Sequence, residues 1–323
     1  MKRWIVGIDV GGTKIAASLG TIRGLLVAKR VLSSRGGAQS TEVIGELCET
    51  VRRLLNERKL KPQHILGVGL AVAGAIDTEK GVILKSPNLK RWERIPLKKI
   101  LSRSLHMPVF IENDANAAAV GEHCFGSGRG VDHFLYVTVS TGIGSGIIAN
   151  GVLVRGTSGT AGELGHITVV PGGNKCQCGK QGCLEAYASG TAIADAVKRA
   201  LRKGAKSRYF NKIRLNRITG KDVTLGALRG DRLAVRVRET AADYLGIGLA
   251  NVVNLLNPRC IILGGGVVEK VDHFWHPMLK ALKREAWPMA LARCRITRSK
   301  LGSRVGDLGA LAVVLSACRN SFE

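Results

Sequence analysis

Two hydrophobic periods run along this chain, and together they predict most of its elements. Trp4-Ile5-Val6-Gly7-Ile8-Asp9 is an apolar run ending on a carboxylate and predicts a buried strand over 4–9. After the turn Val10-Gly11-Gly12-Thr13-Lys14, strands are expected at 15–19 and 25–31. Residues 41–59 set Val43, Ile44, Leu47, Val51, Leu54 and Leu55 at helical spacing. Apolar runs predict further strands at 65–72, 109–114, 134–140, 147–149 and 260–263. Helices are expected over 97–105, 115–122, 186–201, 231–256 and 306–318. Gly246 and Gly248 in the longest of these allow a close helix neighbour.

The glycines between strands carry the first candidate chemistry. Two antiparallel strands joined through Gly11-Gly12-Thr13 leave bare backbone N–H groups at the turn, a nest for a phosphate. Many hairpins turn on Gly-Gly with no ligand. Asp9, at the strand end, is placed to hold Mg²⁺ through water. Thr141-Gly142-Ile143-Gly144-Ser145-Gly146 repeats the pattern of strand, glycine turn, strand, which implies two related halves. Two such turns facing each other would grip a polyphosphate. Gly264-Gly265-Gly266 follows a buried strand and lets a flat ring or phosphate approach the backbone, at the end of the strand where open α/β sheets bind ligands. No Gly-x-x-x-x-Gly-Lys-Ser/Thr loop and no Gly-x-Gly-x-x-Gly fingerprint occurs.

The stretch 163–185 holds a second chemistry. His166, Cys176, Cys178 and Cys183 supply three thiolates and one imidazole, the donor set of a tetrahedral zinc site. Gly179 and Gly182 permit tight turns between the ligands. Glu163 and Glu185 stand at the two ends, where a metal clip would fix two carboxylates for a polar ligand. The other five cysteines (Cys48, Cys124, Cys260, Cys294, Cys318) are dispersed, mostly in apolar runs, and read as buried thiols. Disulfides are not expected, because nothing marks the chain as secreted.

Composition narrows the class. A length of 323 residues suggests two domains. No apolar run approaches a membrane span and no cleavable leader is evident, so a cytoplasmic location without membrane partners is expected. The 49 basic against 24 acidic residues give a formal charge of +25, which attracts anions. The densest basic run, 198–221, has few aromatics for base stacking and matches no nucleic-acid module, so it reads as a solvated face, with no specific nucleic acid expected.

Asp9-x-Gly-Gly-Thr-Lys, Glu112-Asn113-Asp114-Ala115-Asn116-Ala117-Ala118, Gly162-Glu163-Leu164-Gly165-His166, the Cys-x-Cys-Gly-x-x-Gly-Cys-Leu-Glu loop and Gly264-Gly265-Gly266 occur in the order seen in one family. Over nearly its whole length the chain resembles the ROK proteins (repressors, open reading frames, kinases). The resemblance implies the α/β actin-like, sugar-kinase (ribonuclease H-like) fold, with two α/β domains around a cleft. It places a smaller amino-terminal domain at 1–118, joined by the closing helix 306–323, and a larger domain with the zinc loop at 119–305. The family's repressors carry a DNA-binding helix-turn-helix before the first strand, whereas this chain starts at that strand; a kinase is therefore expected. By resemblance, Asp114 is the catalytic base, and Gly74, Asn88, Asn113, Glu163, His166 and Glu185 join it at the sugar. Asp9, Gly11, Gly12, Thr13, Lys14, Thr141, Gly142, Gly144 and Gly264 to Gly266 serve ATP and Mg²⁺. The implied reaction is phosphorylation of a hexose at its 6-hydroxyl, glucose first, with N-acetylmannosamine or N-acetylglucosamine as the alternative and a non-catalytic sugar sensor as the rival class. A dimer or tetramer is implied as well.

Overall fold

The structure is a computed structural model that describes residues 3–12, 14–34, 39–86, 92–268 and 272–319. Thr13 and Asn88, both singled out above, lie outside the described residues. Contacts divide the chain into two compact units. The first is Met1–Asp132, Gly146–Ala161 and Ser299–Glu323; the second is His133–Ser145 and Gly162–Arg298. This division differs from the expected boundary between 118 and 119. That point falls inside one unbroken helix, Asp114–Phe125, which stays whole in the first unit.

In the first unit, β1 (Trp4–Val10), β2 (Lys14–Thr21) and β3 (Leu26–Ser33) form an antiparallel meander. After α1 (Ser40–Glu57), β4 (Ile65–Val72) pairs parallel to β1. A small antiparallel sheet follows, of β5 (Ala75–Asp77), β6 (Val82–Lys85) and β7 (Glu93–Ile95). Then come α2 (Leu97–Leu105), β8 (Val109–Asn113) beside β4, and α3 (Asp114–Phe125). The main sheet runs β3-β2-β1-β4-β8.

In that sheet β1, β2 and β4 are buried nearly throughout because both faces are covered, while β3 at the edge is largely exposed. Alternate residues of β1 part company: Val6, Ile8 and Val10 pack with Leu47, Val51 and Leu54 of α1 and Leu101 of α2. Ile5 turns to the opposite face, against Leu308, Leu311 and Val314 of the last helix. Gly7 and Gly69 let that helix close on the sheet; a Cβ on Gly69 would lie 1.9 Å from the Ala310 carbonyl oxygen. Asp9 continues the Ile5–Gly7 face, and the strand period therefore aims a carboxylate at the start of that helix.

The second unit contains β9 (Phe134–Val139) and the start of β10 (Ile143–Ala149). β10 ends in the first unit, paired there with β11 (Val152–Val154). After the cysteine loop come α4 (Glu185–Ala188), α5 (Gly190–Arg202), α6 (Gly220–Leu228) and α7 (Arg232–Leu256). β12 (Cys260–Gly264), α8 (Asp272–Glu285), α9 (Pro288–Leu291) and β13 (Arg295–Arg298) complete it, with β12 parallel to both β9 and β13. Ser189 splits the expected helix 186–201 by accepting from Ala192 N, so that α5 starts with its own cap. Gly246 meets α8, where a Cβ would lie 2.4 Å from the Met278 carbonyl oxygen. α10 (Val305–Arg319) belongs to the first unit and covers β1, β4 and α3. Among the described residues, no helix is long and apolar enough to cross a membrane.

Candidate active site

The first unit gathers its acids at the carboxyl ends of β1 and β8. Asn113 closes β8 and caps α3, its Oδ1 accepting from Ala115 N at 2.9 Å and Asn116 N at 3.3 Å. Its Nδ2 donates to the Gly74 carbonyl at 3.3 Å, which joins two of the expected sugar-side residues. Gly74 takes a φ of 129°, open to glycine alone. Asp114 is thus the first residue of the helix rather than its cap. Its carboxylate accepts from Ala115 N at 2.9 Å and stays accessible to solvent. Protein nevertheless crowds around it, and lost hydration pushes its pKa above the ordinary carboxylate range.

Asp9 is pushed up to about 6, first by burial, then by the charges of Asp114 and Asp307. Lys29 and Lys14 oppose that shift. Asp307, near the start of α10, is buried; it accepts from Ser18 Oγ at 2.6 Å and pairs with Lys29 Nζ at 2.5 Å. A Cβ on Gly306 would lie 2.3 Å from Asp9 Oδ2, so the glycine admits the carboxylate. Lys14 is exposed but lies on β2, an interior strand of the sheet rather than an edge. Gly11 closes the turn by donating to the Lys14 carbonyl at 3.0 Å, and Gly12 gives its carbonyl to Ser34 Oγ at 2.7 Å.

Beneath the cap lies Glu112, which the sequence reading passed over. It is buried, pairs with Arg155 Nε at 2.8 Å and accepts from Asn113 N at 3.0 Å and Asn116 Nδ2 at 3.2 Å. A carboxylate beside two amides at a strand end was the available signal. Asp307 gave a similar one, a lone acid in a helix of small and apolar residues.

In the second unit, a cavity of about 710 Å³ is lined by Thr141, Thr191, Lys198, Lys221, Leu225 and Gly266, among others. Its size lies in the range of small-ligand sites, and its wall mixes apolar surface, hydroxyls and two ammonium groups. Of the three expected glycines only Gly266 lines it. Gly264 makes room for Tyr136, and Gly265, with a φ of 93°, for the Val139 backbone. The two lysines bracket the basic run 198–221, and part of that run therefore faces a pocket. Behind the wall, Arg238 is wholly buried; it donates to Thr224 Oγ1 at 2.7 Å and the Val267 carbonyl at 2.9 Å. Burial lowers its pKa to about 10, still charged at neutral pH.

The expected glycine turn ends earlier than its pattern suggested. β10 starts at Ile143, so Gly144 is a strand residue. Ile143 N donates to Glu185 Oε2 at 2.8 Å, and a Cβ on Gly142 would lie 2.5 Å from that oxygen.

His166, Cys176, Cys178 and Cys183 bring their ligand atoms within 4.8 Å of one another. Cys178 Sγ lies 3.7 Å from Cys183 Sγ, and Cys176 Sγ 3.8 Å from His166 Nδ1. Ligands on one zinc at ordinary bond lengths would be separated by about 3.6–3.8 Å. Those two separations match such an ion, with His166 presenting Nδ1 to Cys176 and turning Nε2 toward Glu163, 3.9 Å away. Gly179 and Gly182 take φ of 94° and 83° at the turns. Burial pushes the Cys176 thiol up to about 12 and raises that of Cys183, so these thiols need a neighbouring cation to ionise.

A meander with parallel strands behind it, capped by helices and presenting acids at its strand ends, together with the αβ second unit, defines a protein of the actin-like sugar-kinase fold. The chain belongs to the ROK family, whose model matches residues 5–317. It is 38% identical over 312 residues to a glucokinase of Halalkalibacterium halodurans, covering 95% of this chain and 93% of that one. It is 32% identical to a xylose repressor of Caldicellulosiruptor bescii, over 97% of this chain and 78% of the repressor. The crystal structure of a ROK glucokinase from Streptomyces griseus, in complex with glucose and AMPPNP, superposes with a TM-score of 0.79 at 33% identity, covering 95% of this chain and 98% of that one.

Proposed function

We propose that this protein is an ATP-dependent sugar kinase that phosphorylates a hexose at its 6-hydroxyl, with glucose the first candidate. The observation that carries the reading is Asp114: an accessible carboxylate with a raised pKa, fixed at the first turn of α3 beside Asp9. Such a group accepts the proton of the attacking hydroxyl, a contribution of roughly 10²–10⁴-fold. The remaining acceleration comes from alignment and charge neutralisation, because phosphoryl transfer needs little covalent help. Asp9 holds Mg²⁺ through water, which neutralises phosphate charge, and Gly11, Gly12 and Lys14 serve the phosphates. The cavity beside Thr141 and Gly266 takes the nucleoside, with Lys198 and Lys221 at hand for its anionic tail.

Asn113, Glu163 and His166 serve the sugar, whose vicinal hydroxyls need donors and acceptors at fixed spacing. Zinc, held by His166, Cys176, Cys178 and Cys183, stiffens that loop. The glucokinase relatives and the AMPPNP-bound neighbour support the nucleotide and the sugar class. Turnover measured with ATP and Mg²⁺ on glucose, mannose, fructose and the N-acetylhexosamines tests it, and no turnover on any of them would sink it. The xylose-repressor relative supports a second reading, a sugar-sensing regulator. Specific duplex-DNA binding that survives rising salt would favour that one.

A further inference from the structure

Glu185 and the three thiolates sit on adjoining backbone. Glu185 follows Cys183 by two residues and opens α4. Its Oε2 holds the Ile143 amide at 2.8 Å, and its Oε1 lies 3.9 Å from Cys176 Sγ. The same short segment goes on to grip the turn before β10. Gly190 N donates to the Ser140 carbonyl at 2.7 Å, and Thr191 Oγ1 to the Thr141 carbonyl at 2.9 Å.

A second segment presses on that strand start from His166. A Cβ on Gly165 would lie 2.4 Å from the Ile143 carbonyl oxygen, and Ser145 Oγ donates to the Gly162 carbonyl at 2.5 Å. The start of β10 is therefore held by two pieces of chain, one carrying His166 and the other Cys183. Sulfur contacts of 3.7–3.9 Å join the four ligands and Glu185. Backbone bonds, among them Leu184 N to the Ile167 carbonyl at 2.9 Å, already link the two pieces. An ion shared by the four ligands would add a far stronger link and fix their spacing.

We infer that the Cys₃His metal clip, acting through Glu185, sets the shape of the turn formed by Thr141, Gly142 and Ile143, so that nucleotide binding and not only sugar binding depends on the metal. Glu185 is then a positioning residue, and Gly142 is glycine because the Glu185 carboxylate needs its space. The inference rests on the nucleotide reading of the cavity that Thr141 lines.

The test compares zinc-loaded protein, chelator-stripped protein, Glu185→Ala and Glu185→Gln. Two quantities are read without sugar: the Kd of AMPPNP by calorimetry, and exchange of the Ile143 amide proton. A charge-assisted hydrogen bond of this kind is worth about tenfold or more. Stripping the metal should raise the AMPPNP Kd by about tenfold, Glu185→Ala should do the same, and the stripped Glu185→Ala protein should be little worse than either. Glu185→Gln, which keeps an acceptor and leaves the ligands intact, should fall between. Ile143 exchange should quicken in step. An AMPPNP Kd and an Ile143 protection that ignore the metal, in protein shown folded by circular dichroism, would overturn the inference, as would effects that add. Failure of the loaded wild-type protein to bind AMPPNP would instead remove the nucleotide reading, while Ile143 exchange would still decide whether the clip holds the turn.

Discussion

Asp9→Asn should stabilise the protein, and only above a defined pH. Asp9 is mostly buried, faces Asp114 and Asp307, and is pushed up to about 6 in the folded chain from its ordinary 3.8. The folded state therefore binds the proton more tightly than the unfolded one, and stability falls as pH rises between these values. Below about 4 the group is protonated in both states and the substitution is close to neutral. Above about 6 the folded protein carries an ionised, crowded carboxylate. The difference of about two pH units corresponds to about 3 kcal/mol, an upper figure because part of the side chain still meets water. Urea denaturation from pH 4 to 8, without nucleotide or Mg²⁺, reads it. The Asp9→Asn protein should gain on the parent through the window from 4 to 6 and hold that lead above it, while losing Mg²⁺-dependent turnover. A stability difference that is flat with pH, or a loss at pH 7, would refute the electrostatic account of this corner.

Cys178→Ser should release the metal and lower the melting temperature, with metal content measured alongside; an unchanged content would remove Cys178 as a ligand. Arg155→Ala leaves the buried Glu112 with only its two amide donors and should cost about 1–3 kcal/mol in chemical denaturation, because Arg155 is itself partly exposed. Glu112→Gln with Arg155→Met should recover much of that. Asn113→Ala removes the α3 cap and should cost about 1 kcal/mol, and because the cap orients Asp114, turnover should fall by more than stability alone explains.

Most of the elements were legible because the inner strands are apolar runs and α1, α2 and α5 are strongly amphipathic. Strand 65–72 and helix 97–105 are found at their expected bounds, and α7 begins one residue later than the pattern gave. The short strands at 75–77, 82–85 and 93–95 were missed, since three or four residues carry too little period to stand out. β13 and α8 were missed as well, their apolar positions diluted by charges. At the site, ligand spacing in the cysteine loop was readable because zinc ligands must crowd in sequence as they do in space. The Glu112–Arg155 and Asp307–Lys29 pairs were not, because each joins residues far apart in the chain. The glycines carry more than one constraint. Gly142, Gly264 and Gly265 were read as ligand-facing backbone, and the structure adds a second demand on each, room for a protein neighbour.

The most direct measurement is a single-turnover assay of the Asp114→Asn protein with ATP, Mg²⁺ and glucose, together with binding of both ligands at equilibrium. Phosphoryl transfer should drop by at least about a hundredfold while both ligands still bind and the fold is kept. Transfer at near the parental rate would show that some other group takes the proton, and the assignment of Asp114 would fall.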